Sequence, residues 1–136
     1  MLNVEKIPSR IWLVLLIPYI LCIEIFSVLP GYSENNTRIY WSVSNPSANA
    51  LHLIVYAGLA WLLLRFLDAR YPELPRPAVV TTLVGVSIGT ANEVVQYFVP
   101  GRAAAFSDVL FNLAGILCGI LVASWNFRQR PSTGPN

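Results

Sequence analysis

The chain has 136 residues, 55% of them hydrophobic, and a mean hydropathy of +0.57, which is too short for several domains and too apolar for an ordinary soluble fold. Its net charge of +2 creates no field that would gather nucleic acid, so we expect no nucleic-acid partner. Cys22 and Cys118 lie inside apolar runs without disulfide or metal-ligand spacing. We expect both to be packing residues.

Four apolar runs are each close to the ~20 residues that a helix needs to cross hydrocarbon. They cover residues 11–29, 50–67, 78–99 and 105–125, and a polar tail covers 128–136. The first run is too long for the apolar core of a cleaved signal peptide, so we expect it to be retained. The sequence therefore predicts an all-α integral membrane four-helix bundle that forms a single domain over 1–136.

Basic residues resist translocation, so their distribution predicts how the spans are oriented. Arg38 and Arg102 fall in loops on one side of the predicted membrane. The other basic residues all fall on the opposite side: Lys6, Arg10, Arg65, Arg70, Arg76, Arg128 and Arg130. We therefore expect both termini to be cytoplasmic.

A set of polar side chains in and beside the predicted spans falls toward the outer half of the membrane. They occur late in spans one and three and early in spans two and four: Glu24, Glu93, Gln96, Asn49, His52, Tyr56, Ser107, Asp108 and Asn112. An ionisable group at the bilayer centre costs about 2.5–3.5 kcal/mol, so such groups usually face the bundle interior and find partners. The pattern predicts one polar cleft that faces outward.

Two glycine pairs share a helix face with these polar groups. Gly85 and Gly89 lie on the face of Glu93 and Gln96, and the other pair lies below Asp108 and Asn112 at Gly115 and Gly119. Each pair forms a GxxxG motif, which lets helix backbones approach closely in lipid. We expect spans three and four to be pinched together below the cleft, with His52 and Tyr56 of span two facing the same cleft.

The polar motifs, taken in chain order, resemble those of the VanZ-like family of small bacterial membrane proteins, whose namesake is associated with resistance to the glycopeptide teicoplanin. The motifs are His52-x-x-x-Tyr56, Glu93-Val-Val-Gln96, Pro100-Gly101-Arg102, and Ser107-Asp108 through Asn112 to Gly115 and Gly119. The resemblance covers roughly 52–119. It implies a multi-pass protein of the bacterial cytoplasmic membrane, within the cell envelope. Family members often carry Asp-Lys shortly before the histidine, where this chain has Ala48 and Asn49.

We expect the cleft to bind its ligand through these motif residues. The candidates are His52, Tyr56, Glu93, Gln96, Arg102, Asp108 and Asn112. An arginine can hold a phosphate in bidentate fashion, which makes Arg102 the expected contact for an anionic group. Structural roles compete with this hypothesis: Asp108 suits a helix N-cap, Glu93 suits an ion pair with Arg102, and the amides suit interhelical hydrogen bonds.

His52 could join Glu93 and Asp108 in a site with one histidine and two carboxylates, but no spacing in the sequence supports a metal. We therefore expect no metal and no cofactor. Glu24 stands alone in span one, and the sequence does not identify its partner.

The leading functional hypothesis is a binding protein for an anionic lipid head group or a lipid-linked envelope precursor, linked to glycopeptide resistance. One alternative is a membrane-embedded enzyme in which His52, Glu93 and Asp108 act as general acid and base on a lipid phosphate or envelope precursor. The sequence supplies no unmistakable nucleophile for it. The other alternative is a structural accessory subunit. The oligomeric state stays open.

Overall fold

The computed structural model describes residues 7–29, 39–40, 46–99 and 104–128. Within these ranges the chain forms four helices and two very short strands. The helices are α1 (Ser9–Val28), α2 (Pro46–Arg70), α3 (Pro77–Phe98) and α4 (Phe106–Arg128), and the strands are β1 (Ile39–Tyr40) and β2 (Ala104–Ala105). All four helices are long and apolar enough to cross a membrane. The predicted all-helical bundle is therefore confirmed for the described residues.

Proline sets several of the helix boundaries. α2 and α3 both begin with proline, at Pro46 and Pro77, where its missing N–H costs nothing because the first turn has no intrahelical acceptor. The α2 helix is longer than the apolar run that predicts it, since it reaches Arg70 and ends just before Tyr71-Pro72. Apolar length therefore predicted the membrane-crossing part of α2 rather than the whole helix.

The core of the bundle lies around α2. Leu59 and Ala60 of α2 and Ile116 of α4 are fully buried, and Trp12 and Leu16 of α1 pack against them. Most other apolar side chains of α1 are exposed, for example Val14 and Ile25. Lipid tails are as apolar as these side chains, so an outward apolar surface is the expected state of a bundle in a membrane.

The closest helix contact differs from the predicted one. Gly115 and Gly119 of α4 lie directly against the backbone carbonyls of Leu53 and Ala57 in α2, so a methyl group at either glycine would overlap the neighbouring chain. At Gly85 of α3, by contrast, the nearest group is the side chain of Ile116. The expectation that spans three and four are pinched together was wrong, because Ile116 separates them and α2 takes the close position.

The two ends of the bundle differ in their polar groups. Glu24, His52, Glu93 and Asp108 lie at one end, which we call the polar end. The described arginines lie toward the other end: Arg10, Arg65, Arg70 and Arg76. There, Arg65 is buried, donates from Nη2 to the carbonyl of Ala123 at 2.9 Å, and lies over the ring of Trp61. This separation agrees with the charge distribution that predicts the membrane orientation.

Both cysteines lie on exposed helix faces as free thiols. The expectation that Cys22 and Cys118 are packing residues was therefore wrong, because an apolar run in a membrane helix supplies lipid-facing positions as well as core positions.

Substituting the glycines of α4 tests the α2–α4 contact. We expect Gly115→Ala and Gly119→Ala each to lower the free energy of unfolding in detergent by about 1–3 kcal/mol, because the added methyl meets backbone that cannot turn away. Gly85→Ala is the comparison, since its methyl would meet side-chain atoms of Ile116 at 3.0 and 3.1 Å, which can shift by a few tenths of an ångström where a backbone cannot. Equal losses at Gly85 and Gly119 in thermal unfolding would contradict this arrangement.

Candidate ligand-binding site

A chain of hydrogen bonds joins α1, α2 and α3 at the polar end. The Asn92 amide satisfies both of its polar atoms in one orientation, in which Oδ1 accepts from Tyr56 Oη at 2.9 Å and Nδ2 donates to Glu24. The two Glu24 oxygens lie 2.9 and 3.2 Å from Nδ2. Asn92 is thus the partner of Glu24 that sequence analysis could not identify.

A second link connects α1 with α3 one turn nearer the end of α3. Gln96 Nε2 donates to Ser27 Oγ at 3.2 Å, and both side chains are buried. Polar groups buried in hydrocarbon are costly unless paired, so these contacts fix how α1 is turned against α3.

His52 lies between α2 and α4 and contacts two residues of α4. Its Nδ1 lies 2.9 Å from Asn112 Oδ1, and its Nε2 lies 3.7 Å from Asp108 Oδ2. The imidazole ring is parallel to the ring of Tyr56 one turn further along α2, within 7°. A hydrogen bond on one ring nitrogen fixes the plane of the ring, so Nε2 is held facing the Asp108 carboxylate.

Glu93 connects α3 to the loop that enters α4. It is 6% exposed, and its Oε2 accepts a hydrogen bond from the backbone N–H of Ala105 at 3.2 Å. Ala105 belongs to β2, which pairs in parallel with β1 through the partners Ile39 with Ala104 and Tyr40 with Ala105. The carboxylate therefore has a structural role at the point where two loops meet, in addition to any role toward a ligand.

Asp108 is the third residue of α4, whereas an N-cap would precede the helix. The simple N-cap interpretation of Asp108 was therefore wrong. Its Oδ1 lies 3.4 Å from the Ser107 hydroxyl, which can donate to it, and its Oδ2 faces His52. A carboxylate in the first turn is still stabilised by the positive end of the helix dipole.

A cavity of about 440 Å³ opens beside this network, within the ~300–1,000 Å³ typical of small-molecule sites. Its lining includes six residues with polar side-chain groups: Tyr19, Ser27, His52, Tyr56, Asn92 and Gln96. Its walls are largely apolar and include Ile23, Phe26, Leu51 and Val55. Phe26 and Leu51 are also exposed on the outside of the bundle, so the apolar wall continues onto the lipid-facing surface.

The structure brings six of the seven predicted ligand residues to the polar end. His52, Tyr56 and Gln96 line the cavity. Glu93 and Asp108 lie close to His52, and Asn112 contacts it directly. Arg102 lies outside the described residues, so its predicted contact with an anionic group stays a prediction.

Asn92 and Ser27 were missed as site residues. Asn92 lies four residues before Gln96, so helical spacing already places it on the face of a predicted site residue. Asn49 is buried, and its Nδ2 has no hydrogen-bond partner in the part of the chain that the structure describes. Such a buried donor needs an acceptor.

Removing the central amide tests the network. We expect Asn92→Ala to lower the free energy of unfolding in detergent by about 0.6–1.7 kcal/mol for each interhelical bond lost, because Glu24 and Tyr56 both lose a partner. Thr90→Ala, at an exposed position of the same helix, is the matched truncation and should change little. If both variants unfold at the same temperature as the unmodified protein, the network contributes nothing to stability.

The chain matches a family of known proteins. A family model described as VanZ/LLP1 matches residues 5–127, which is nearly the whole chain. No curated protein matches the chain, and no solved structure matches it. The matched range contains all six described candidate residues and both short strands.

Proposed function

Because the chain belongs to the VanZ/LLP1 family and is a multi-span membrane protein, we propose that its polar end binds the head group of an anionic lipid or of a lipid-linked envelope precursor. In this proposal both termini are cytoplasmic and the polar end faces outward in the bacterial cytoplasmic membrane. The position of the described arginines at the opposite end supports that orientation.

The cavity is the observation that carries the proposal. It combines a polar lining from Tyr56, Asn92 and Gln96 with an apolar wall that reaches the lipid-facing side chains Phe26 and Leu51. A ligand that has a polar head and an apolar chain matches both surfaces, since the chain can leave the cavity along the wall without entering water. A polar solute without an apolar chain would leave the apolar wall of the cavity without an apolar contact.

The available donors favour a head group that is rich in oxygen. Gln96 lines the cavity, and its Nε2 uses one of its two hydrogens on Ser27, which leaves the other for an acceptor on the ligand. Arg102 follows α3 by only a few residues and would add the positive charge that a phosphate requires. The link of the VanZ-like family to teicoplanin resistance agrees with an envelope precursor as the ligand class.

The geometry around His52 favours catalysis as a second candidate function. Its imidazole and the carboxylates of Glu93 and Asp108 offer atoms within 4.8 Å of one another, which is an arrangement suited to general acid–base chemistry on a bound lipid phosphate. A purely structural role for the polar end is the remaining alternative, and it requires no ligand.

Lipid binding by matched tyrosine variants tests the proposal. Native mass spectrometry of the full chain would be run with undecaprenyl phosphate, phosphatidylglycerol and phosphatidylcholine as probes. We expect the anionic lipids to bind more tightly than phosphatidylcholine. Tyr56→Phe should weaken binding about 2- to 10-fold through the lost hydroxyl, whereas Tyr97→Phe, on an exposed face, should not.

Further variants separate the three functions. Arg102→Ala should weaken anionic lipid binding about 10-fold or more, as expected for a charged hydrogen bond. Equal binding of all three lipids, or equal loss in Tyr97→Phe, would contradict the binding proposal. An enzyme would release phosphate from the lipid and lose that turnover in Glu93→Gln while still binding. Loss of thermal stability without any change in lipid binding would indicate the structural role.

A further inference from the structure

We infer that His52, Glu93 and Asp108 form a binding site for one divalent transition-metal ion, of the class of Zn²⁺ or Mn²⁺. Each residue offers one ligand atom, and the three atoms all lie within 4.8 Å of one another. They come from three different helices, α2, α3 and α4, so folding of the bundle assembles the set. This explains why the spacing in the sequence predicts no metal.

The distances suit a metal after small side-chain movements. Two ligands on a tetrahedral Zn²⁺ with bonds of about 2.1 Å are separated by about 3.4 Å. His52 Nε2 and Asp108 Oδ2 are already 3.7 Å apart. The widest separation in the set, at most 4.8 Å, would have to close by roughly 1.4 Å, which rotation of a carboxylate about its side-chain torsions can supply.

The contact between His52 and Asn112 is a separate observation that points to a cation. Asn112 is 2% exposed, and its Oδ1, which can only accept, lies 2.9 Å from His52 Nδ1. When Nδ1 donates to this oxygen, the lone pair of Nε2 faces the Asp108 carboxylate, and a metal ion between the two groups would bind both. Metal-binding histidines are oriented by such a bond on the other ring nitrogen.

The donor set selects the class of metal. Imidazole suits Zn²⁺ and other transition metals, whereas carboxylates also suit Mn²⁺ and Mg²⁺, so the mixed set favours Zn²⁺ or Mn²⁺ over Mg²⁺. Three protein ligands leave at least one coordination position for water. The metal site itself does not depend on the proposed lipid function. Only the binding of a phosphate oxygen at that open coordination position depends on it.

Metal titration of the full chain in detergent, without added lipid, tests the inference. After treatment with EDTA, the protein would be titrated with ZnCl2, MnCl2 and MgCl2, with binding followed by calorimetry and by the visible absorption of Co²⁺ as a substitute. The titration would use the Cys22→Ser and Cys118→Ser background, because both thiols are exposed and could bind Zn²⁺. We expect one equivalent of Zn²⁺ to bind and Mg²⁺ to bind at least 10-fold more weakly.

Variants identify the ligands. Asp108→Asn and His52→Ala should lower Zn²⁺ affinity at least 100-fold, and Asn112→Ala should lower it about 10- to 100-fold, as for a residue that orients a ligand. Asp68→Asn, the same change at the opposite end of α2, should leave affinity unchanged. Absence of stoichiometric binding would overturn the inference and identify the cluster as a His–Asp ion pair only. Equal affinity in Asp108→Asn and Asp68→Asn would also overturn it, whatever the outcome of the lipid experiments.

Discussion

The close backbone contact between α2 and α4 is the constraint on which the polar end depends. Gly115 and Gly119 remove the side chains that would separate the two helices, so α4 rests on the carbonyls of Leu53 and Ala57. Leu53 is the neighbour of His52 in the sequence, and Asn112 lies one turn before Gly115. The contact therefore sets the distance and the rotation at which the imidazole meets the side chains of α4. A bulkier residue at either glycine would move the ligand candidates apart without touching them.

A second constraint follows from the hydrocarbon of the membrane, which surrounds the helices in place of water. Hydrocarbon offers no hydrogen bonds, so the buried polar groups at this end need partners within the protein. Asn92 joins Glu24 of α1 to Tyr56 of α2, and Glu93 holds the N–H of Ala105. The bond from Asn92 to Glu24 ties α1, which has few buried side chains, to the rest of the bundle beside a cavity lined by α1, α2 and α3. The groups that hold the helices together are thus the same groups that line the proposed ligand site.

Sequence patterns predicted the four spans, because the length of an apolar run shows whether a helix can cross the membrane. They also predicted that the polar groups share one depth in the membrane, because successive spans cross it in opposite directions. They did not predict partners, because periodicity gives the face of a helix but not the helix that covers it. The glycines of α4 accordingly turned out to face α2, and the partner of Glu24 depends on the rotation of α1. The strands Ile39–Tyr40 and Ala104–Ala105 have two residues each, which is too short for a recognisable strand pattern in the sequence. The metal ligands lie on separate helices, so only the fold brings them together.

Photo-crosslinking with a lipid phosphate that carries a diazirine in its chain, followed by peptide mapping, tests most directly whether amphiphiles bind beside the polar network. The account predicts adducts concentrated on the cavity wall, at Phe26, Leu51 and Val55, that unlabelled lipid phosphate competes away. Adducts spread evenly over lipid-facing residues remote from the cavity, such as Val14 and Leu121, and insensitive to competitor, would contradict it.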